Sequence, residues 1–147
     1  MSERFLITGA FGCIGAWTVK RLVAEGVSVY TYDVGSDSYR LKILMNDEDL
    51  GEVTSLTGDV TDLDAFESAI VDNGITHIIH LAALQVPFCR ATPVLGAQVN
   101  VVGTAVVFEA VRRHMEQVKG LVFVSSFGVY GEPEHYPPEP LAHGAPL

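Results

Sequence analysis

Phe5-Leu6-Ile7-Thr8-Gly9-Ala10-Phe11-Gly12-Cys13-Ile14-Gly15 is the stretch that decides how this 147-residue chain is read. An apolar run ends at Thr8, glycines follow at positions 9, 12 and 15, and helical spacing takes over after them. Glycine at the first position lets the chain turn sharply out of a strand. At the second it lets backbone amides come close to a phosphate, and at the third it lets a new helix pack on the strand. The N-terminus of that helix offers unpaired N–H groups and the positive end of its dipole, which suits a pyrophosphate. A dinucleotide site is expected here. Taken alone, the motif could also be a strand–turn–helix with incidental glycines.

The pattern repeats outward from this unit. Short apolar runs occur at Arg4–Thr8, Val27–Tyr32, Val53–Thr57, His77–Ala82 and Leu121–Val124, with helical periodicity between them at 14–25, 62–73 and 94–118. Such alternation predicts a doubly wound parallel sheet, an α/β Rossmann-type fold, in strand order 3-2-1-4-5. That order puts the glycine loop at the switch point, where ligands bind. Gly26 and Asn73-Gly74 look like helix C-caps, and Thr61 before Asp62-Leu63-Asp64 looks like an N-cap. Segment 35–50 is polar and predicts no more than a short irregular helix. Five of the seven prolines fall in the last 15 residues, so 131–147 reads as a loop. The whole of 1–147 is expected to be one dinucleotide-binding domain.

Composition narrows the function. The chain is 48% hydrophobic with a mean hydropathy of +0.29, which suits a sheet buried on both faces. Nine Lys+Arg against 18 Asp+Glu give a net charge of −9, which argues against nucleic acid and anionic membrane surfaces as partners. Cys13 and Cys89 form no metal or disulfide pattern, and Met1-Ser2-Glu3-Arg4 runs directly into a strand. A cytoplasmic location is therefore expected. No apolar run in the sequence approaches the roughly 20 residues of a membrane span.

Two further signals refine the site. Asp33 stands at the end of the second strand, 24 residues after Gly9. A carboxylate there can accept both hydroxyls of an adenosine ribose and repel a 2′-phosphate, which favours NAD over NADP. Arg40 is the nearby cation that could reverse this preference. Gly58-Asp59-Val60 follows the third strand; Asp59 either receives the adenine amino group, with Val60 over the ring, or simply opens the next helix. His77 and His80 sit three apart on a strand and so on opposite faces, which argues against a shared metal. No metal site is expected. His80 reads instead as a structural histidine, hydrogen-bonded near the cofactor.

With these residues in place the chain resembles the extended short-chain dehydrogenase/reductases, the NAD-dependent epimerase/dehydratase family. The resemblance rests on Thr8 to Gly15, Asp33, Gly58-Asp59-Val60 and His80-Leu81-Ala82-Ala83. It continues through Asn100-Val101-Val102-Gly103-Thr104 and Ser125-Ser126-Phe127-Gly128-Val129-Tyr130-Gly131. It implies that Phe11, Cys13 and Ile14 join the three glycines at the pyrophosphate, and that Leu81, Ala82 and Ala83 line the nicotinamide side. Leu84 and Gln85 would reach toward substrate, Asn100 would support the cofactor pocket from its helix, and Ser125 would lie at the cofactor. Ser126 would be the catalytic residue, polarising the oxygen of a sugar nucleotide or sugar acid during hydride transfer. Relatives often dimerise through a helix that corresponds here to 94–118.

The family's chemistry also needs a Tyr-x-x-x-Lys pair, whose lysine lowers the tyrosine pKa so that it can remove a proton. The sequence holds none: Tyr130 is followed at the fourth position by Glu134, Tyr136 by Pro140 and Tyr39 by Ile43. In the family that pair falls just beyond the position of Leu147. The expectation is a C-terminally incomplete fold, inert by itself, belonging to a longer enzyme. The alternative is a non-catalytic dinucleotide-binding or sensor protein of the same fold. A P-loop hydrolase is excluded because no Gly-Lys-Ser/Thr follows the glycines.

Overall fold

The computed structural model describes residues 3–126. Strands β1 (Arg4–Thr8), β2 (Ser28–Asp33), β3 (Val53–Thr57), β4 (His77–His80) and β5 (Gly120–Phe123) form one sheet. Every pairing is parallel and the order is β3-β2-β1-β4-β5, as the alternation predicts. Helices α1 (Cys13–Ala24), α2 (Tyr39–Leu44), α3 (Asp47–Gly51) and α4 (Leu63–Asp72) come before β4. Between β4 and β5 lie α5 (Val86–Ala91), α6 (Pro93–Ala97), a π-helical segment (Gln98–Gly103) and α7 (Thr104–Arg113).

Successive residues of β1 serve opposite faces of the sheet. Leu6 packs with Phe66, Ile70, Ile78, Val107 and Ala110 beneath α4 and α7. Ile7 packs with Ala16, Val19, Val29 and Leu41 beneath α1 and α2. Both faces are therefore covered, which is why the central strand carries no polar alternation. On β5, by contrast, Val122 and Phe123 stay exposed.

Several boundaries differ from the sequence reading. β4 stops at His80 rather than Ala82, because Thr8 Oγ1 takes the Ala82 amide at 3.2 Å as β1 turns away at Gly9. Segment 35–50 holds two short helices. The second is capped by Asn46 Oδ1, which accepts from Asp49 N at 2.8 Å and precedes an acidic first turn. The N-cap of α4 is Asp62 rather than Thr61: its Oδ1 accepts from Ala65 N at 3.0 Å.

The expected 94–118 helix begins at Pro93 and ends at Arg113, with Gln98–Gly103 wound as a π-helix. This continuous 21-residue helix has a mean hydropathy of 1.6 over its most apolar window. Among the described residues, one helix is thus long and apolar enough, by length and composition only, to cross a membrane. Gln98, Asn100 and Glu109 hid it by interrupting the run. Gly103, Val107 and Ala110 of this helix are buried against the rest of the fold.

Candidate functional site

The glycine loop joins β1 to α1 at the carboxyl edge of the sheet. Gly9 has φ +65°, and a Cβ there would come within 2.8 Å of Ala82 N and Cα. It is required both by the turn and by the approach of the chain after β4. At Gly15 a Cβ would lie 2.7 Å from Ala10 Cα, so this glycine seats α1 directly on the turn. Gly12 is different. It is the helix N-cap with no side-chain cap bond, and an added Cβ would meet only Gly9 O at 3.1 Å. The first intrahelical amide bond runs from Ala16 N to Gly12 O at 3.0 Å. The amides of Cys13, Ile14 and Gly15 are accordingly first-turn donors that helix geometry cannot satisfy. Cys13 and Ile14 are exposed beside them.

Asp33 ends β2 against this loop. Its Oδ2 accepts from Phe11 N at 3.2 Å, and its Oδ1 accepts a longer bond from Gly35 N at 3.4 Å. The carboxylate is thus fixed beside the helix N-terminus. Arg40 reaches the same loop, donating from Nη1 to Phe11 O at 3.1 Å.

Asp59 is exposed and makes a local turn, its Oδ1 accepting from Thr61 N and Thr61 Oγ1, both at 2.8 Å. That turn closes before α4, whose N-cap is Asp62. The Val60 side chain is 5% exposed and packs against Gly103, where a Cβ would be 2.8 Å from Val60 Cγ2.

Leu81 to Gln85 form an irregular segment beside Gly9. Leu81 N donates to Thr8 Oγ1 at 3.1 Å, and Leu84 is clamped at both ends by the Asn100 amide. Leu84 N donates to Asn100 Oδ1 at 2.7 Å, and Asn100 Nδ2 donates to Leu84 O at 2.9 Å. Asn100 thus holds the segment in place, and Ala83 and Gln85 are exposed on it. Ser125 and Ser126 follow β5 at the same sheet edge and are also exposed. Both lie past Phe123, so strand alternation does not decide which way they face. Phe127 to Tyr130 and the proline-rich 131–147 loop fall outside the described residues.

His80 is 1% exposed and stacks on Phe123 with ring centroids 5.9 Å apart. Its Nδ1 meets Thr8 Oγ1 at 2.7 Å and its Nε2 meets Thr104 Oγ1 at 3.2 Å, which fits a structural histidine near the loop. Burial holds its pKa below the ordinary histidine value. Charged groups on the surrounding elements are engaged elsewhere: Arg4 of β1 on Asn73 O, Glu109 of α7 on Arg112 and Arg113. Native His80 resists protonation more than the unfolded side chain, which gains a proton below about pH 6.5. Its contribution to stability is full above about pH 6.5 and lost as pH falls below it. Urea midpoints at pH 7.5 and 5.5 test this, since His80→Asn should flatten part of the acid-side decline. An identical decline in that variant removes His80 as its source.

Two contributors escaped the sequence. Thr8 reads simply as the last strand residue, yet its hydroxyl meets Leu81 N, Ala82 N and His80 Nδ1. Tyr32 is 2% exposed, and its hydroxyl donates to Asp59 O at 3.4 Å. Burial, with Asp62 and Asp59 nearby, pushes its pKa up to about 12. The signal for Tyr32 was Gly58, where any Cβ would overlap the tyrosine ring. Among the described residues no group of three His, Cys, Asp or Glu could hold a metal.

The family model described as GDP-mannose 4,6 dehydratase matches residues 6–143. UDP-glucose 4-epimerase of Bos taurus is 34% identical over 146 residues, covering 93% of this chain and 41% of that protein. The Mycolicibacterium smegmatis enzyme of that name is 38% identical over 137 residues, covering 91% of this chain and 42% of its own. UDP-glucose 4-epimerase of Thermus thermophilus, solved in complex with NAD, superposes with a TM-score of 0.75 at 31% identity. That match covers 97% of this chain and 43% of the other. The Bifidobacterium longum epimerase with NAD+ and UDP gives a TM-score of 0.72 at 29% identity, over 88% of this chain and 38% of its own. This chain spans about two fifths of the length of these relatives.

Proposed function

The chain belongs to the NAD-dependent epimerase/dehydratase family that the GDP-mannose 4,6 dehydratase model describes, and from that premise we propose that it is the NAD-binding part of an enzyme acting on a sugar nucleotide. One observation carries the reading: Asp33 Oδ2 sits on Phe11 N, which brings a carboxylate against the glycine loop and the open N-terminus of α1. The residues fit the cofactor. First-turn amides and three glycines suit a pyrophosphate, and an acid beside them suits a ribose. Similarity to epimerases solved with NAD supports the same choice. NAD bound in this site would accept a hydride from a substrate carbon and return it.

The chain's own residues then divide the work. Amides of Cys13, Ile14 and Gly15 hold the pyrophosphate, Asp33 accepts from the ribose hydroxyls, and the Asp59 turn lies on the adenine side. Leu81, Ala82 and Ala83 bound the nicotinamide side, Gln85 faces substrate, and Ser126 donates to the reacting oxygen. No Tyr-x-x-x-Lys pair occurs among these 147 residues. The exposed apolar side chains Val94, Val101, Val102 and Phe108 on the 93–113 helix make a self-pairing surface, as in a homodimer. A reducing, cytoplasmic setting accords with the unpaired Cys13 and Cys89.

Calorimetry tests the cofactor assignment. NAD should bind more tightly than NADP, and Asp33→Ala should weaken NAD binding by about 1–3 kcal/mol through lost charge-assisted hydrogen bonds. Because Arg40 remains in that variant, its NADP affinity should hold or improve. Equal or tighter NADP binding by the unsubstituted protein overturns the assignment.

A further inference from the structure

We infer that Thr8, His80 and Thr104 are positioning residues that form a one-way hydrogen-bond relay, fixing the Leu81–Leu84 segment against the glycine loop from both ends. The direction follows from counting donors. Thr8 Oγ1 accepts from Ala82 N at 3.2 Å and shares the Leu81 amide, 3.1 Å away, with the Thr8 carbonyl at 3.2 Å, so both its lone pairs face amides. Its one proton must then point to His80 Nδ1, 2.7 Å away. A neutral imidazole that accepts at Nδ1 carries its proton on Nε2. That proton goes to Thr104 Oγ1 at 3.2 Å, and the Thr104 hydroxyl donates in turn to the Asn100 carbonyl at 2.8 Å.

Asn100 closes the circuit, since its side-chain amide holds Leu84 N and Leu84 O. The relay thus runs from the amides of Leu81 and Ala82, through the core, to the π-helical segment that grips Leu84. A π-helical turn on this helix places Asn100 beside the segment while Thr104, four residues on, still reaches both His80 and the Asn100 carbonyl. No link can be reversed. A proton on His80 Nδ1 would face the Thr8 hydroxyl proton, and it would leave Nε2 a bare acceptor against Thr104 Oγ1, whose own proton is committed to the Asn100 carbonyl.

The consequence for cofactor affinity rests on the NAD reading above; the relay itself does not. Histidine 15N NMR of the intact protein should show His80 as the Nε2–H tautomer, with Nδ1 unprotonated. An Nδ1–H tautomer overturns the relay, whether or not NAD binds. Amide exchange at Ala82 and Leu84 should quicken in both Thr8→Val and Thr104→Val, and Thr8→Ser and Thr104→Ser should restore protection. Faster exchange confined to the residues touching the substituted side chain also overturns it. With NAD as the probe, each valine variant should bind about tenfold more weakly, and the double variant hardly more weakly than either single one, because one unit is broken once. Additive losses reject the coupling. A protein that shows the tautomer and shared exchange but binds no NAD refutes the cofactor reading and leaves the relay standing.

Discussion

Gly9→Val is expected to leave a protein that barely folds and binds no cofactor, whereas Gly12→Ala should fold nearly as well as the parent and lose binding alone. Two effects act together at Gly9. Its φ of +65° is left-handed, which a β-branched residue adopts only at a strain of about 1–3 kcal/mol. The new Cβ would also press on Ala82 N and Cα at 2.8 Å, a backbone overlap that cannot be relieved by a rotamer and adds about 1–3 kcal/mol. Together, at about 2–6 kcal/mol, these reach the lower end of a domain's stability of about 5–15 kcal/mol. Gly12 lacks both problems. Its φ is −69° and an added methyl meets only Gly9 O at 3.1 Å, so a change of about 1 kcal/mol or less is expected. Its methyl would project where phosphate oxygens must approach the first-turn amides. Urea midpoints and NAD titrations of the two variants check this, and a folded, NAD-binding Gly9→Val protein would contradict the structural role.

Ser126→Ala should reduce turnover by about 10²–10³, with NAD affinity nearly unchanged, in the enzyme that supplies the tyrosine and lysine. The argument is one of position and chemistry. Ser126 stands just past β5 at the edge that also carries the glycine loop and the Leu81–Gln85 segment. A hydroxyl there can donate to an oxygen on which negative charge grows as hydride leaves carbon. Such a donor acts on the transition state more than on the bound cofactor, so kcat should fall while the NAD dissociation constant holds. Ser125→Ala should change the rate less. Full activity in Ser126→Ala would remove its catalytic role and favour a purely binding function for this part of the molecule.

The sequence carried the sheet because each strand writes its burial into its residues. Leu6 and Ile7 are both apolar and serve opposite faces, which only a sheet covered on both sides requires. Gly9 and Gly15 were legible for a similar reason: no other residue fits, so backbone geometry leaves a mark on composition. Asp33 was legible from its distance to the loop, since a parallel sheet puts consecutive strand ends side by side.

Contacts made across the fold left no such mark. Val60 reads in sequence only as the residue after Asp59, and it is Gly103 that brings the 93–113 helix close enough to bury it. The end of β4 was misplaced because a hydroxyl on β1 claims the Ala82 amide. His80 shows the division most clearly. Its sequence position marked it as structural and near the site, while its tautomer was decided by two threonines, one 72 residues before it and one 24 after it. Local periodicity and steric need are properties of short stretches, so the sequence by itself determined the fold, the glycine turn and the placement of Asp33. The direction of a hydrogen bond depends on what every neighbouring donor and acceptor is already doing, and only the tertiary structure decides that.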